Sequence, residues 1–204
     1  MVQPLDFYFF TGSTHTYLTV NRIEAKALEA GVSVRWRPYN LRVILRETGV
    51  TPFPPGTAKR RYMWRDIERR AERLGIPYTS EPQHPVDPDL RALRVALVAA
   101  DEGWCPEYMR AYYRAWFINH RPPGLDDNMA AFLKGMGCDP DAVLAKALSD
   151  ETTRMMEGSV EEARRLGLFG SPHFVVAGEV FWGDDRLEEA LEWSLSRTEF
   201  TTAS

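Results

Sequence analysis

Leu5-Asp6-Phe7-Tyr8-Phe9-Phe10-Thr11-Gly12-Ser13-Thr14-His15-Thr16 runs from a short aromatic, apolar segment into a polar turn. Leu5 to Phe10 has the bulk and apolarity of a buried strand, and Thr11 to Thr14 has the small polar residues of a turn. A helical apolar spacing follows from about residue 15 to residue 30, and Gly31 ends it as a glycine just past a helix does. Val32-Ser33-Val34-Arg35-Trp36-Arg37 then alternates as a second strand. A strand, a helix and a strand in so short a span predict two parallel strands joined by a right-handed crossover.

Beyond Tyr39 the pattern is mostly helical. The spacing predicts a short helical piece over 41–47, then a loop Thr51-Pro52-Phe53-Pro54-Pro55-Gly56, then a charged helix over 58–74 that stops at Gly75. A proline-rich loop over 76–88 precedes helices over 88–102, 105–120, 126–136, 139–148 and 150–166, the last stopped by Gly167. Neither an internal repeat nor a low-complexity tract interrupts them. The end of the chain changes character. Gly170-Ser171-Pro172 leads into a strand, His173 to Val176; Ala177-Gly178-Glu179 turns, and Val180-Phe181-Trp182 returns as a hairpin. Gly183-Asp184-Asp185 is placed to cap a last helix over 186–195. The expected class is α/β, with β-α-β first, a large all-helical insertion, and β-β-α last. The expected units are 1–58 with 168–204 as one domain and 59–167 as the inserted helical domain.

A length of 204 residues suits one domain carrying a large insertion. Hydrophobic residues at 44% and charged residues at 26% exclude a disordered, fibrous or membrane-embedded chain. Twenty-five Lys and Arg against 29 Asp and Glu give a net charge of −4, which argues against broad nucleic-acid binding. Cys105 and Cys138, both within helical sequence, are too few for a disulfide framework and read as free, buried thiols of a reducing compartment. Met1-Val2-Gln3-Pro4-Leu5-Asp6 lacks a basic n-region, and no apolar run approaches the roughly 18 residues of a membrane span. The expectation is a cytoplasmic protein that engages neither membrane nor nucleic acid.

Five motifs, spread in order over residues 6 to 187, carry a resemblance. They are Asp6-Phe7-Tyr8-Phe9 with Ser13 and Tyr17-Leu18; Lys59-x-x-Tyr62-x-x-x-Asp66; Gly75-Ile76-Pro77; Gly170-Ser171-Pro172; and Phe181-Trp182-Gly183-x-Asp185-Arg186-Leu187. The chain resembles the 2-hydroxychromene-2-carboxylate isomerases and the related kappa-class glutathione transferases, both DsbA-like. The resemblance implies a thioredoxin-like fold with a helical insertion, glutathione as cofactor, a small aromatic carboxylate as substrate, and a homodimer.

Ser13 stands where thioredoxin-like oxidoreductases carry Cys-x-x-Cys. The four residues here are Ser13-Thr14-His15-Thr16, so disulfide exchange at this position is impossible. The resemblance implies that Ser13 stabilises glutathione's sulfur as the nucleophilic thiolate. The plain alternative is an N-cap of the following helix. His15 stands at an offset where DsbA-like oxidoreductases carry a thiolate-favouring His; the alternative is an exposed first-turn His. By resemblance, Pro172 is cis, and Ser171 before it offers backbone groups to the cysteinyl part of glutathione. The alternative is an ordinary loop proline. His173 would lie near Ser13, but His15 and His173 have no companion Cys or carboxylate at ligand spacing, so no metal is expected.

The resemblance also assigns Trp182, Gly183, Asp184 and Asp185 to glutathione binding, with simple helix capping by the aspartates as the alternative. Lys59 and Tyr62, with Thr14, complete the expected glutathione set. The run Lys59, Arg60, Arg61, Arg65, Arg69, Arg70, Arg73 is otherwise a solvated helix face. Tyr108, Tyr112, Tyr113, Trp116 and Phe117 recur at helical spacing and read as core, with the roof of an aromatic-substrate pocket or a dimer face as the alternative.

On the substrate side the likeness thins. An Asn of the kappa-class relatives would fall near Val50, and a Lys and an Asn-Arg pair of the isomerases near Leu45 and Phe53-Pro54. Arg46, His84 and His173 are the remaining substrate candidates. The expected activity is glutathione-dependent isomerisation by reversible thiolate addition to a conjugated aromatic or enone carboxylate. The alternatives are a kappa-like transferase or peroxidase and a non-catalytic thioredoxin-like binding module.

Overall fold

The structure is a computed structural model in which residues 2–84 and 87–196 are described. Strand β1 (Leu5–Phe9) lies at the centre, parallel to β2 (Val34–Pro38) and antiparallel to β3 (His173–Val176). Strand β4 (Glu179–Trp182) pairs antiparallel with β3, giving the order β2-β1-β3-β4. Tyr8 is opposite His173, and His173 is opposite Trp182. The end of β1, the start of β3 and the end of β4 therefore share one edge of the sheet. The expected thioredoxin-like fold, β-α-β then β-β-α around a helical insertion, is present.

The pleat of β1 divides the interior. Leu5, Phe7 and Phe9 point into the larger core, and Tyr8 and Phe10 into a smaller one with Tyr39, Val160 and Ala163. From Phe7 to Phe9 both faces of β1 are buried, so these residues form an apolar run rather than an alternation, while Asp6 ahead of them pairs with Arg35 and Arg37.

The single helix expected over 15–30 is two. Helix α1 (Thr14–Val20) ends at Asn21, whose amide donates to the Tyr17 carbonyl at 2.7 Å, and α2 (Ile23–Ala30) ends at Gly31 with φ of 67°. Both halves bury apolar residues, so the spacing shows no break. The break swings Arg22 out to the backbone carbonyl and carboxylate of Asp184 and to Glu188.

The helices between β2 and β3 are α3 (Leu41–Thr48), α4 (Ala58–Leu74), α5 (Arg91–Glu102), α6 (Cys105–Phe117), α7 (Asp126–Gly135), α8 (Pro140–Ala147) and α9 (Asp150–Arg165). A short 3-10 turn over Asp184–Arg186 precedes α10 (Leu187–Ser196). Helix α5 starts three residues later than the expected 88. Asp87 is fully buried and accepts the Ala92 and Leu93 backbone N–H groups at 3.1 Å each, and Leu90 sits at φ of 59° ahead of the helix. Helix α6 carries Tyr108, Tyr112, Tyr113, Trp116 and Phe117 fully buried, as its spacing implies. Cys105 is buried and Cys138 half-buried, and both are free.

Candidate functional site

The turn after β1 places Ser13 ahead of α1 with extended backbone angles, φ −84° and ψ 126°. Its side chain makes no cap bond. Instead Ser13 Oγ donates to the Ser171 carbonyl at 2.8 Å, across 158 positions of sequence. The Ser171–Pro172 bond is cis, as the resemblance implied. The loop and the turn are joined twice more: Phe10 N–H donates to Ser171 Oγ at 2.9 Å, and that hydroxyl shares a second 2.9 Å bond with Thr16 Oγ1. Thr14 is buried and donates to Met63 Sδ on α4 at 3.3 Å.

Beneath the turn lies Tyr113, whose segment the sequence reads first as core. The Tyr113 hydroxyl donates to the Ser13 carbonyl at 2.7 Å and to the Thr11 carbonyl at 3.3 Å. Burial pushes its ionisation far above the ordinary range, so it stays a donor at all working pH. Helical spacing marks Tyr113 as core correctly. Nothing local marks the hydroxyl, whose partners are a hundred positions away.

His15 is half-buried, its ring 6.2 Å from that of Phe53. Burial and the nearby Arg70 charge lower its pKa, so the imidazolium is disfavoured at neutral pH. Lys59 is exposed at the start of α4 with Nζ 5.4 Å from the Phe53 ring centre. Lys59, Phe53 and His15 thus form one rim of the turn. Tyr62 points to solvent, with the Arg69 guanidinium 5.7 Å from its ring.

On the far side of the loop, Trp182 and Phe169 are both more than half exposed, with ring centres 4.8 Å apart. Gly170 is glycine by close approach: an added Cβ would fall 2.5 Å from the Trp182 indole nitrogen. Gly183 has φ of 112°, a conformation that side chains resist. The two aspartates after it part company. Asp184 is buried, 2.7 Å from Arg70 Nη2, with Arg22 at 3.7 Å, and burial pushes its carboxyl up to about 6. Asp185 is exposed at the surface of the same turn. Asp184 therefore ties the break between α1 and α2, through Arg22, to α4, through Arg70, while Asp185 is open to solvent.

His173 is fully buried, its Nδ1 3.0 Å from the Gly170 carbonyl, and it lies under the rings of Phe169 and Trp182. Burial lowers its pKa to about 4. It reaches the Ser13 turn only through the Gly170-Ser171 loop. Arg46 is exposed in the last turn of α3, and His84 packs edge-on at 5.1 Å against Trp116. Among the described residues no hydrogen bond or ring contact joins either one to Ser13.

Two clefts open elsewhere. One of about 370 Å³ lies between β2, α5 and α9 at Tyr8, Arg37 and Glu162, and one of about 290 Å³ adjoins it at Asp6, Arg35 and Arg165. Ser13 and Ser171 line neither, so here the chemical groups, and not cavity size, locate the chemistry.

Fold and turn together define a thioredoxin-like protein with a serine hydroxyl at the turn beside its cis-proline loop. The chain belongs to the DSBA-like thioredoxin domain family, whose pattern matches residues 4–192. It is 26% identical over 195 residues to a 2-hydroxychromene-2-carboxylate isomerase from Sphingobium xenophagum, covering 92% of this chain and 96% of that one. It is 22% identical over 196 residues to glutathione S-transferase kappa 1 from Caenorhabditis elegans, covering 89% and 86%. A solved 2-hydroxychromene-2-carboxylate isomerase superposes with a TM-score of 0.78 at 23% identity, over 98% of this chain and 99% of the other. Among the described residues no helix is long and apolar enough to cross a membrane.

Proposed function

We propose that this chain is a glutathione-dependent isomerase of the 2-hydroxychromene-2-carboxylate isomerase type, acting on an aromatic or enone carboxylate. The observation that carries the reading is the Ser13 hydroxyl: half-buried, free of capping duty, and set against the loop that carries Ser171. The similarity to a named isomerase and a named glutathione transferase supports it.

The donor set at the turn fits glutathione. Ser13 offers a hydroxyl for a sulfur anion, Ser171 a backbone carbonyl for an amide, and exposed Lys59 a cation for a carboxylate. Asp185 and Trp182 stand exposed on the other side of the loop for the ammonium end and the peptide plane. When bound, glutathione supplies a thiolate nucleophile that adds reversibly to a conjugated carbon. Ser13 would lower the energy of that anion by donating a hydrogen bond from its hydroxyl to the sulfur. Tyr113 and Thr16 hold the turn so that this donor keeps its direction. His15, neutral at pH 7, presents an uncharged ring at the rim. A homodimer and a cytoplasmic location belong to the same proposal.

The transferase alternative differs only in whether the conjugate is released. Incubation with glutathione and 2-hydroxychromene-2-carboxylate, followed by chromatography of the products, separates the two. Isomer formed with glutathione recovered in full is the expected result. Accumulating conjugate would make the chain a transferase, and no turnover of any conjugated carboxylate would remove the enzymatic reading.

A further inference from the structure

The cleft of about 370 Å³ away from the Ser13 turn has walls of opposite charge. Strand β2 supplies Arg37, α5 supplies Leu97, Ala100 and Asp101, α9 supplies Met155 and Glu162, and Tyr8 makes the floor. On the β2 wall two cations share one carboxylate: Asp6 accepts from Arg37 Nε at 3.0 Å and pairs with Arg35, which leaves a positive charge in excess. Arg37 spends only Nε on Asp6. Among the described residues its Nη1 and Nη2 groups have no hydrogen-bond partner, so the outer fork of the guanidinium is open. Glu162 is engaged, with Arg165 Nη2 at 3.6 Å and the Tyr8 hydroxyl against it. Burial and that carboxylate push the Tyr8 ionisation up, so the floor stays a neutral donor turned to Glu162. On the α5 wall Asp101 is exposed, and among the described residues no hydrogen bond or ion pair engages it, which leaves a negative charge in excess.

We propose that this cleft is a binding site for a small zwitterion, an amino acid whose ammonium and carboxylate are carried on an apolar body. The carboxylate takes the open Nη groups of Arg37, a charge-assisted and potentially bidentate contact. The ammonium takes Asp101 on the opposite wall, and the apolar body lies on Leu97, Ala100 and Met155. The two excess charges explain the choice. A simple anion meets Arg37 but is repelled by Asp101 and Glu162, and a simple cation meets Asp101 but is repelled by Arg37 and Arg35. A zwitterion satisfies both walls at once. Neither Ser13 nor Ser171 lines the cleft, so the site stands whether or not the glutathione reading does.

Calorimetric titration with L-phenylalanine and with 6-aminohexanoate tests the site at two separations of the charges. Saturable binding of at least one of them to wild type is expected, weakened about three- to tenfold in Arg37→Gln and in Asp101→Asn. Phenylacetate and phenethylamine, or hexanoate and hexylamine, keep one charge each and should bind more weakly than the parent zwitterion. Near-ultraviolet circular dichroism serves as the folding check. Asp101 is exposed, so Asp101→Asn remains an informative variant where loss of Arg37 disturbs Asp6. Absence of binding by both zwitterions at about 10 mM would overturn the site. Unchanged affinity in Asp101→Asn, or a one-charge analogue binding as tightly as its parent, would overturn the zwitterionic assignment.

Discussion

Tyr113 and His173 each bring a buried polar atom to the site, Tyr113 beneath the Ser13 turn and His173 at the Gly170 carbonyl of the cis-proline loop. Tyr113→Phe keeps the ring, stacked 5.7 Å from Trp116, and removes the donor to the Ser13 and Thr11 carbonyls. The expected cost is about 1–2 kcal/mol in denaturant unfolding, with turnover reduced because the turn loses its anchor. An unchanged midpoint and unchanged turnover would remove Tyr113 from the account. For His173 the sign follows from burial. Its pKa is about 4 in the folded chain against 6.5 for a free imidazole, so the unfolded state binds its proton first as pH falls. Stability held above pH 6.5 is then lost progressively down to about pH 4, by up to about 3 kcal/mol. Asp184, raised to about 6, runs the other way: it favours folding below about pH 4 and loses that contribution as pH rises through 6. In His173→Gln the acid loss between pH 6.5 and 4 should therefore shrink or reverse, as read by urea midpoints across that range. A wild type equally stable at both ends, with a variant that matches it, would contradict the neutral buried imidazole. The turn at Ser13 was legible from sequence because turn chemistry is local, and the cis bond before Pro172 was implied by the resemblance. Tyr113 was not, because its meaning lies in a partner a hundred positions away.

Helix ends show the same division. Gly31, Gly49 and Gly75 close α2, α3 and α4 with left-handed backbone angles, and each can be read from one residue. The break between α1 and α2 cannot, since its cause is the pull of Asp184 and Glu188 on Arg22. Helix α1 is left with seven residues and a correspondingly small dipole, so the proposed mechanism assigns anion stabilisation at the turn to the Ser13 hydroxyl. Asp87 is likewise invisible as a cap in a proline-rich loop. Its buried carboxylate satisfies two N–H groups of α5, while Arg42 holds the loop through the Asp87 and Pro88 carbonyls at 2.6 and 2.9 Å. Asp87→Ala should cost about 1–2 kcal/mol, and the exposed cap Asp139 of α8 less when changed in the same way. Equal losses at the two positions would show that burial of Asp87 adds nothing to its capping.

In the complete fold, the sheet brings the end of β1, the start of β3 and the end of β4 together beside the end of β2, and α6 reaches under the turn there with Tyr113. The β-α-β and β-β-α halves could be read from periodicity and glycine punctuation, and the helical stretch between them from length. What periodicity could not supply was which helix supports the turn, or that Asp184 would be spent on two arginines while Asp185 stays open. Arg46 is exposed at the end of α3 and His84 packs on Trp64 and Trp116, and among the described residues no hydrogen bond or ring contact joins either to Ser13. The central claim is that Ser13 stabilises a thiolate at this edge. It is tested most directly by the ultraviolet thiolate absorbance of glutathione near neutral pH, titrated with wild type and with Ser13→Ala. The account predicts a saturable thiolate band with wild type that is lost in the variant. A band of equal strength in both proteins, or no band with wild type at saturating glutathione, would contradict it.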